Sequence, residues 1–230
     1  MANLCIITAR GGSKRIPRKN IRAFLGKPIM AYSIEAALSA GIFDEVMVST
    51  DDEEIAEVAR GYGASVPFMR SAATANDYAS TRDVLIEVLD EYEKRGKTFD
   101  FFSCVYPTAP FVPAEKLKAA FAKLRDSDAD ALVPVIPFSY PPQRAFVIEN
   151  GSLSFMYPEY KLARSQDLQP IYHDCGQFYF YKTDIYREKK PGTGKTLPLI
   201  MPEEETQDID NFSDWELAEL KYKKFILGVD

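Results

Sequence analysis

Short apolar runs alternate with amphipathic segments along most of this chain, and that alternation restricts the fold more than any other feature of the sequence. Leu4 to Ile7 is a compact apolar run. Glu45 to Thr50 and Phe101 to Tyr106 repeat it, each the length of a buried strand. Between the first two, Ile29, Ile34, Ala37 and Leu38 recur at helical spacing over Pro28 to Ala40, closed by Gly41. Asp51 and Glu54 have capping-box spacing and open a second helix through Ile55, Val58 and Ala59 toward Gly61 or Gly63. A short strand is expected around Ser65 to Phe68. Val84, Leu85, Val88, Leu89 and Tyr92 mark a third helix, with Ser80 or Thr81 as its cap. Pro113 suits the first turn of a helix running to about Leu124, and Ala131 to Ile136 is another strand. Strands that alternate with helices lie mostly parallel, with both sheet faces covered. The expected fold is α/β: a Rossmann-like, mostly parallel sheet with helices on both faces.

The rhythm breaks at Pro137. From there to about Tyr181 the pattern is short strands and turns, with Asn150-Gly151 a hairpin signal. Ser213 and Glu216 are spaced to cap a closing helix that carries Trp215, Leu217, Leu220, Tyr222 and Phe225. With 230 residues, 46% of them hydrophobic, the chain can bury one substantial core, so 1–230 reads as a single domain. A formal net charge of −6 argues against a general nucleic-acid binder. No apolar run approaches the roughly 20 residues of a membrane span, and no signal peptide is apparent. The three cysteines, Cys5, Cys104 and Cys175, fit reduced thiols in a cytoplasmic protein, and no Cys/His spacing suggests zinc.

Against that acidic background, the loop after the first strand is basic. Gly11, Gly12 and Ser13 sit among Arg10, Lys14, Arg15, Arg18 and Lys19, five cations within ten residues. Glycines let backbone amides approach an anion, and cationic side chains add charge-assisted donors for phosphate oxygens. α/β proteins place ligands at strand ends of this kind. The residues thus describe a triphosphate cradle, or a solvated basic turn. The spacing matches neither a Walker A loop nor a Gly-x-Gly-x-x-Gly fingerprint. Near the far end of the chain, Asp208-Ile209-Asp210 on an extended segment would put both carboxylates on one face, a good ligand pair for Mg2+. Pro191-Gly192-Thr193-Gly194-Lys195-Thr196 looks like the end of a Walker A loop, but Lys189 stands where a glycine is required, and no buried strand precedes it. It reads as a surface loop.

The stretch from Ile6 to Asn20, Ile-Ile-Thr-Ala-Arg-Gly-Gly-Ser-Lys-Arg-Ile-Pro-Arg-Lys-Asn, closely resembles the signature of acylneuraminate-type cytidylyltransferases, which activate nine-carbon acidic sugars as CMP conjugates. Later segments match too, so the resemblance covers nearly the whole chain. It implies that CTP and an acidic nine-carbon sugar are the substrates. Ala9, Arg10, Gly11, Gly12, Ser13, Lys14 and Lys19 would hold the triphosphate and Asn20 the nucleoside. Arg70, followed by Asp77-Tyr78-Ala79-Ser80-Thr81, resembles the family's base-recognition segment, placing Arg70 and Thr81 on the cytosine with Ser80 close by. Asp208 and Asp210 match the family's metal site, and Arg10, Lys19, Asp208 and Asp210 would carry catalysis. Where relatives acting on N-acetylneuraminate have Gln-Pro-Thr-Ser-Pro, this chain has Tyr106, Thr108 and Ala109, and both departures, Tyr106 and Ala109, fall in the sugar-binding part.

The stretch from His173 to Tyr179 looks more like the branch that activates pseudaminic acid. By the same resemblance Lys161, Arg164, His173 and Gln177 join Tyr106 and Thr108 around the sugar, with Lys161 and Arg164 as candidates for its carboxylate. His173, the one histidine, could be a general base or a hydrogen-bonded structural residue. Residues 138–181 would form a small β-rich arm reaching a second subunit of a homodimer. N-acetylneuraminate and legionaminic acid remain alternative acceptors. A CTP-binding regulator without turnover and a dinucleotide-dependent oxidoreductase are readings from other classes. The Asp208/Asp210 pair argues against the first, and the missing glycine fingerprint against the second.

Overall fold

The structure, a computed structural model, describes residues 1–188 and 194–229. Strand β1 (Asn3–Thr8) leads through the small pair β2 (Ala23–Phe24) and β3 (Lys27–Pro28) into helix α1 (Ile29–Ala40). Strand β4 (Glu45–Ser49), helix α2 (Glu53–Gly61), helix α3 (Thr81–Lys94), strand β5 (Phe101–Val105), helix α4 (Ala114–Arg125) and strand β6 (Ala131–Pro137) follow. A hairpin, β7 (Phe146–Glu149) and β8 (Ser152–Phe155), stands outside the main sheet. Then come β9 (Tyr172–Asp174), β10 (Phe178–Lys182), helix α5 (Thr183–Glu188), strand β11 (Thr196–Ile200) and helix α6 (Phe212–Lys221), which continues as a π-helical turn over Tyr222–Leu227.

The main sheet runs β11-β6-β10-β5-β1-β4, with β9 also paired to β6. β1 lies parallel to β4 and β5, and β11 parallel to β6, while β10 runs antiparallel to both its neighbours. The mostly parallel sheet expected from the alternation is therefore present. Leu4, Cys5, Ile6 and Ile7 are fully buried, as a central strand covered on both faces must be. One core cluster packs β1 and β5 residues with those of α1, α2 and α4. A second packs the other sheet face against Leu85, Val88, Leu89 and Tyr92 of α3. A third joins Ile16, Phe24, Phe111, Ile209 and Trp215. It ties the basic loop to the segment that carries the two aspartates.

The structure departs from the sequence reading in four places. Residues around Ser65 make one parallel bridge, to Met47, rather than a strand. Helix α2 is capped by Asp52, whose carboxylate accepts from the Ile55 amide, because Asp51 is engaged by the Gly11 amide at 2.9 Å. Helix α6 is capped by Asn211 with Asp214 reciprocating, not by Ser213. Finally, 138–181 is not all arm. Its last strand, β10, occupies the centre of the main sheet between β5 and β6, and β9 extends β6. Phe178 and Phe180 are buried there, so the segment packs in its own core. The expected Asn150-Gly151 hairpin is formed, with both residues at positive φ. Residues 191–193 of the Walker-like stretch lie outside the described residues.

Candidate active site

Because β1 and β5 are parallel neighbours, the loops after Thr8 and Val105 emerge side by side. Between them lies a cleft of about 390 Å³ lined by Thr8, Arg10, Ser13 to Ile16, Lys19 and Asn20, by Tyr106 to Thr108 and by Asp210. Of the loop's five cations, four face this cleft. Arg18, in the left-handed region at φ 56°, turns away instead and pairs with Asp52 and Glu54 at the start of α2. Gly11 is required by close approach: a Cβ there would lie 2.8 Å from a carboxylate oxygen of Asp52. Asn20 is buried and donates its side-chain amide to the Arg10 carbonyl at 2.9 Å, so it holds the loop's shape from behind.

Three of these four cations already have carboxylate partners, and the fourth, Lys19, has a backbone carbonyl. Arg10 Nη1 donates to Asp77 at 2.8 Å, and the Lys14 ammonium pairs with the other oxygen of the same carboxylate. Lys14 and Arg10 hold the Asp77 pKa below the usual carboxylate range. Arg15 donates to Asp210 at 2.7 Å. Lys19 donates to the carbonyl of Ile209, between the two aspartates, at 2.6 Å. Burial lowers the Lys19 pKa, against the pull of Asp210 and Asp208. Asp208 shifts the other way: burial of its carboxylate, then the like charge of Asp210, raises its pKa. Two neighbouring carboxylates of this kind, bordering a cationic cleft, are a donor set for a hard cation whose other ligands are waters and phosphates. Only two carboxylates are offered, and among the described residues no cluster of three metal-ligating side chains occurs. The amides are less open than a free anion nest would be, since Gly11 donates to Asp51 and Ser13 to the Gly11 carbonyl.

The other expected site residues are distributed around this centre. Ala9 is buried and fixed by its amide to the Ser49 carbonyl at 3.0 Å. Arg70 packs beneath the end of β4, donating to the Ser49 carbonyl at 2.7 Å and its hydroxyl at 3.1 Å. Ser80 caps α3 in a reciprocal box with Asp83, which occupies its hydroxyl. Thr81 opens α3 and lines, with Tyr106, a second cavity beside the cleft rather than the cleft itself. Tyr106 is held at both backbone ends, its amide donating to Gln177 and its carbonyl accepting from Ser33, each at 2.8 Å. Gln177 does not line the cleft. It is buried, and its side chain donates to the Glu205 carbonyl at 3.0 Å. Arg164 lies on the exposed arm, paired with Asp167 at 2.7 Å, and Lys161 is exposed there too. His173 packs against Phe138 with ring centroids 4.6 Å apart, its Nδ1 2.9 Å from the Asp174 carbonyl. Of the expected residues the cleft gathers Arg10, Ser13, Lys14, Lys19, Asn20, Tyr106, Thr108 and Asp210, with Asp208 beside it, while Arg70, Ser80, Thr81, Lys161, Arg164, His173 and Gln177 do not line it. The sequence reading counted Arg15 among the loop's five cations and Asp77 in the base-recognition stretch, but it missed their pairing with Asp210 and with Arg10 and Lys14. Their signal was only charge, which the residues share with many surface positions.

The cytidylyltransferase sequence pattern matches residues 4–202. The chain belongs to the cytidylyltransferase family. Among its relatives, this cytidylyltransferase is 44% identical over 229 residues to a pseudaminic acid cytidylyltransferase of Campylobacter jejuni, covering 97% of each chain. It is 35% identical over 227 residues to a CMP-N,N'-diacetyllegionaminic acid synthase of Legionella pneumophila, covering 95% of each. In fold it is similar to a CMP:2-keto-3-deoxy-manno-octonic acid synthetase solved with CTP, with a TM-score of 0.70 at 19% identity over 96% of this chain and 98% of that one.

Proposed function

We propose that this cytidylyltransferase transfers CMP from CTP to the anomeric C2 hydroxyl of pseudaminic acid, a nine-carbon acidic sugar, and releases pyrophosphate. The observation that carries the reading is the 44% identity to the Campylobacter enzyme across nearly the whole of both chains. The C2 oxygen bonds to the α-phosphorus as the bond to the β-phosphate oxygen breaks, and the hydroxyl proton is lost to solvent or a carboxylate. Charge accumulates on phosphate oxygens, so positioning and positive charge do most of the work. Arg10, Lys14, Arg15 and Lys19, which line one cleft, would take the triphosphate, and Asn20 keeps their loop in shape. Asp208 and Asp210 would hold Mg2+, which when bound supplies positive charge to the phosphates. Arg70 and Thr81 are assigned to the cytosine, with Ser80 reaching them only through the helix cap.

We place the reaction in a homodimer in the cytoplasm. Support for the dimer comes from the hairpin, where Ile148 opposes Leu153 and Phe146 opposes Phe155 on one uncovered face. Ile148 is 76% and Leu153 63% exposed, an unfavourable display unless something covers it. The arm residues Lys161 and Arg164 would then serve a partner's site. Support for the cytoplasm is the three free, buried cysteines. The decisive experiment is pyrophosphate release from CTP and Mg2+ with pseudaminic acid, N,N'-diacetyllegionaminic acid and N-acetylneuraminate in parallel. Release with pseudaminic acid above the other two is expected. Equal or greater release with another acceptor would overturn the assignment of the sugar.

A further inference from the structure

The segment that carries Asp208 and Asp210 has no regular structure of its own: residues 206–210 belong to neither strand nor helix. Its course is set by side chains that reach it from elsewhere in the chain. Lys221 of α6 donates to the Glu203 and Thr206 carbonyls at 3.2 and 3.0 Å. Lys19 donates to the Ile209 carbonyl at 2.6 Å. Gln177 donates to the Glu205 carbonyl at 3.0 Å, and Lys116 of α4 pairs with the Glu205 carboxylate. Gln177 differs from the three lysines in two ways. It is neutral, so it fixes the segment without adding positive charge to a stretch whose carboxylates suit a cation. It also holds another wall of the cleft, because its own carbonyl accepts from the Tyr106 amide at 2.8 Å. One residue, 1% exposed, therefore ties the loop after β5 to the aspartate segment.

We propose that Gln177 is a positioning residue for the aspartate pair, its amide setting where Asp208 stands relative to the Tyr106 loop across the cleft. The inference rests on Asp208 and Asp210 being the carboxylates that hold Mg2+. Downstream, the pair is already fixed, since the Asp210 amide donates to Asp214 at 2.9 Å. Upstream of Asp208 the nearest fixed points are Glu205 and Thr206, and the Glu205 carbonyl is the one Gln177 holds. Stability does not account for this side chain. Its Oε1 is buried and has no hydrogen-bond partner among the described residues. A buried amide with one bond made and one acceptor unmet gains the fold little, because the unmet group offsets the bond. What the amide does supply is a fixed carbonyl three residues before the first carboxylate. Groups that orient a metal ligand without touching the ion change metal affinity by roughly 10–100-fold.

Two variants test this. Gln177→Met removes the amide and keeps the length of the side chain. Gln177→Asn keeps an amide but draws it back by one methylene. CTP binding is measured by calorimetric titration across a magnesium series with no acceptor sugar present, so that turnover does not enter, and Tm is measured beside it. Each variant should raise the magnesium midpoint about tenfold, with Tm lower by no more than about 2–4 °C and CTP affinity without magnesium unchanged. A merely structural role would weaken CTP binding equally with and without magnesium, and that result overturns the proposal. In an Asp210→Asn background Gln177→Met should shift the midpoint much less, because both changes act through one carboxylate pair. An unchanged midpoint in both Gln177 variants, or the same shift in both backgrounds, overturns the role of Gln177 and leaves the metal site standing. CTP binding that ignores magnesium in the wild type overturns the metal site and this inference with it.

Discussion

Lys19 is the residue on which most of the site's electrostatics converge. It is part-buried, lies against the Asp208–Asp210 segment, and borders the cleft from a loop rather than from the core. Lys19→Ala should lower kcat/KM for CTP by about 100-fold, the scale of losing one preorganised donor, while far-UV circular dichroism stays unchanged. Its depressed pKa has a testable sign. The protonated form is needed for phosphate, so activity should fall on the alkaline side below the ordinary lysine range. Lys19→Arg should push that limb upward. On the acid side Asp208 must be ionised, and its raised pKa puts the other limb above the usual aspartate range. The pH profile of kcat/KM for CTP reads both, because it reports the free enzyme. Asp210→Asn should shift the magnesium midpoint upward by roughly tenfold or more, read from a titration of pyrophosphate release. At this scale the sequence was informative where a motif was long, as in Ile6 to Asn20. It was silent where a role depends on a partner distant in the chain. Nothing local to Asp77 says that Arg10 and Lys14 will hold it, and nothing local to Gln177 says that Glu205 will take its amide.

At the scale of elements, the loop after β1 and the start of α2 are one unit. Asp52 caps the helix, pairs with Arg18 and packs against Gly11. Asp52→Ala should cost about 1–2 kcal/mol from the cap, a drop of roughly 2–8 °C in Tm for a chain of this size by calorimetry. Gly11→Ala forces either the loop or Asp52 to move. It should weaken CTP binding, measured by calorimetric titration, more than it lowers Tm. Elements buried on both faces were legible, because Leu4 to Ile7 and Phe101 to Tyr106 are apolar without alternation. Helix caps were legible only to within one or two residues. Asp51 and Asp52 are chemically alike, and the choice between them was made by the Gly11 amide 40 positions away. The antiparallel course of β10 was not legible at all. Strand direction follows from a pairing between Phe178 and Val105, and no local pattern records it.

For the whole molecule, the exposed hairpin sets the next expectation. Ile148→Glu with Leu153→Glu puts two like charges opposite each other on the uncovered face. The pair should reduce the sedimentation mass to that of one chain and leave CTP binding by each subunit intact. An unchanged mass would remove the hairpin from the subunit interface. The third core cluster has a different consequence, one that concerns synthesis. Lys19 meets the Ile209 carbonyl across 190 positions, and Arg15 meets Asp210 across 195. A growing chain therefore makes its basic loop well before the aspartates beside it, and before Ile209 and Trp215 can seat Ile16 and Phe24. The loop that opens the chain's first crossover can thus take its final packing only after α6, some 190 positions later, has been made.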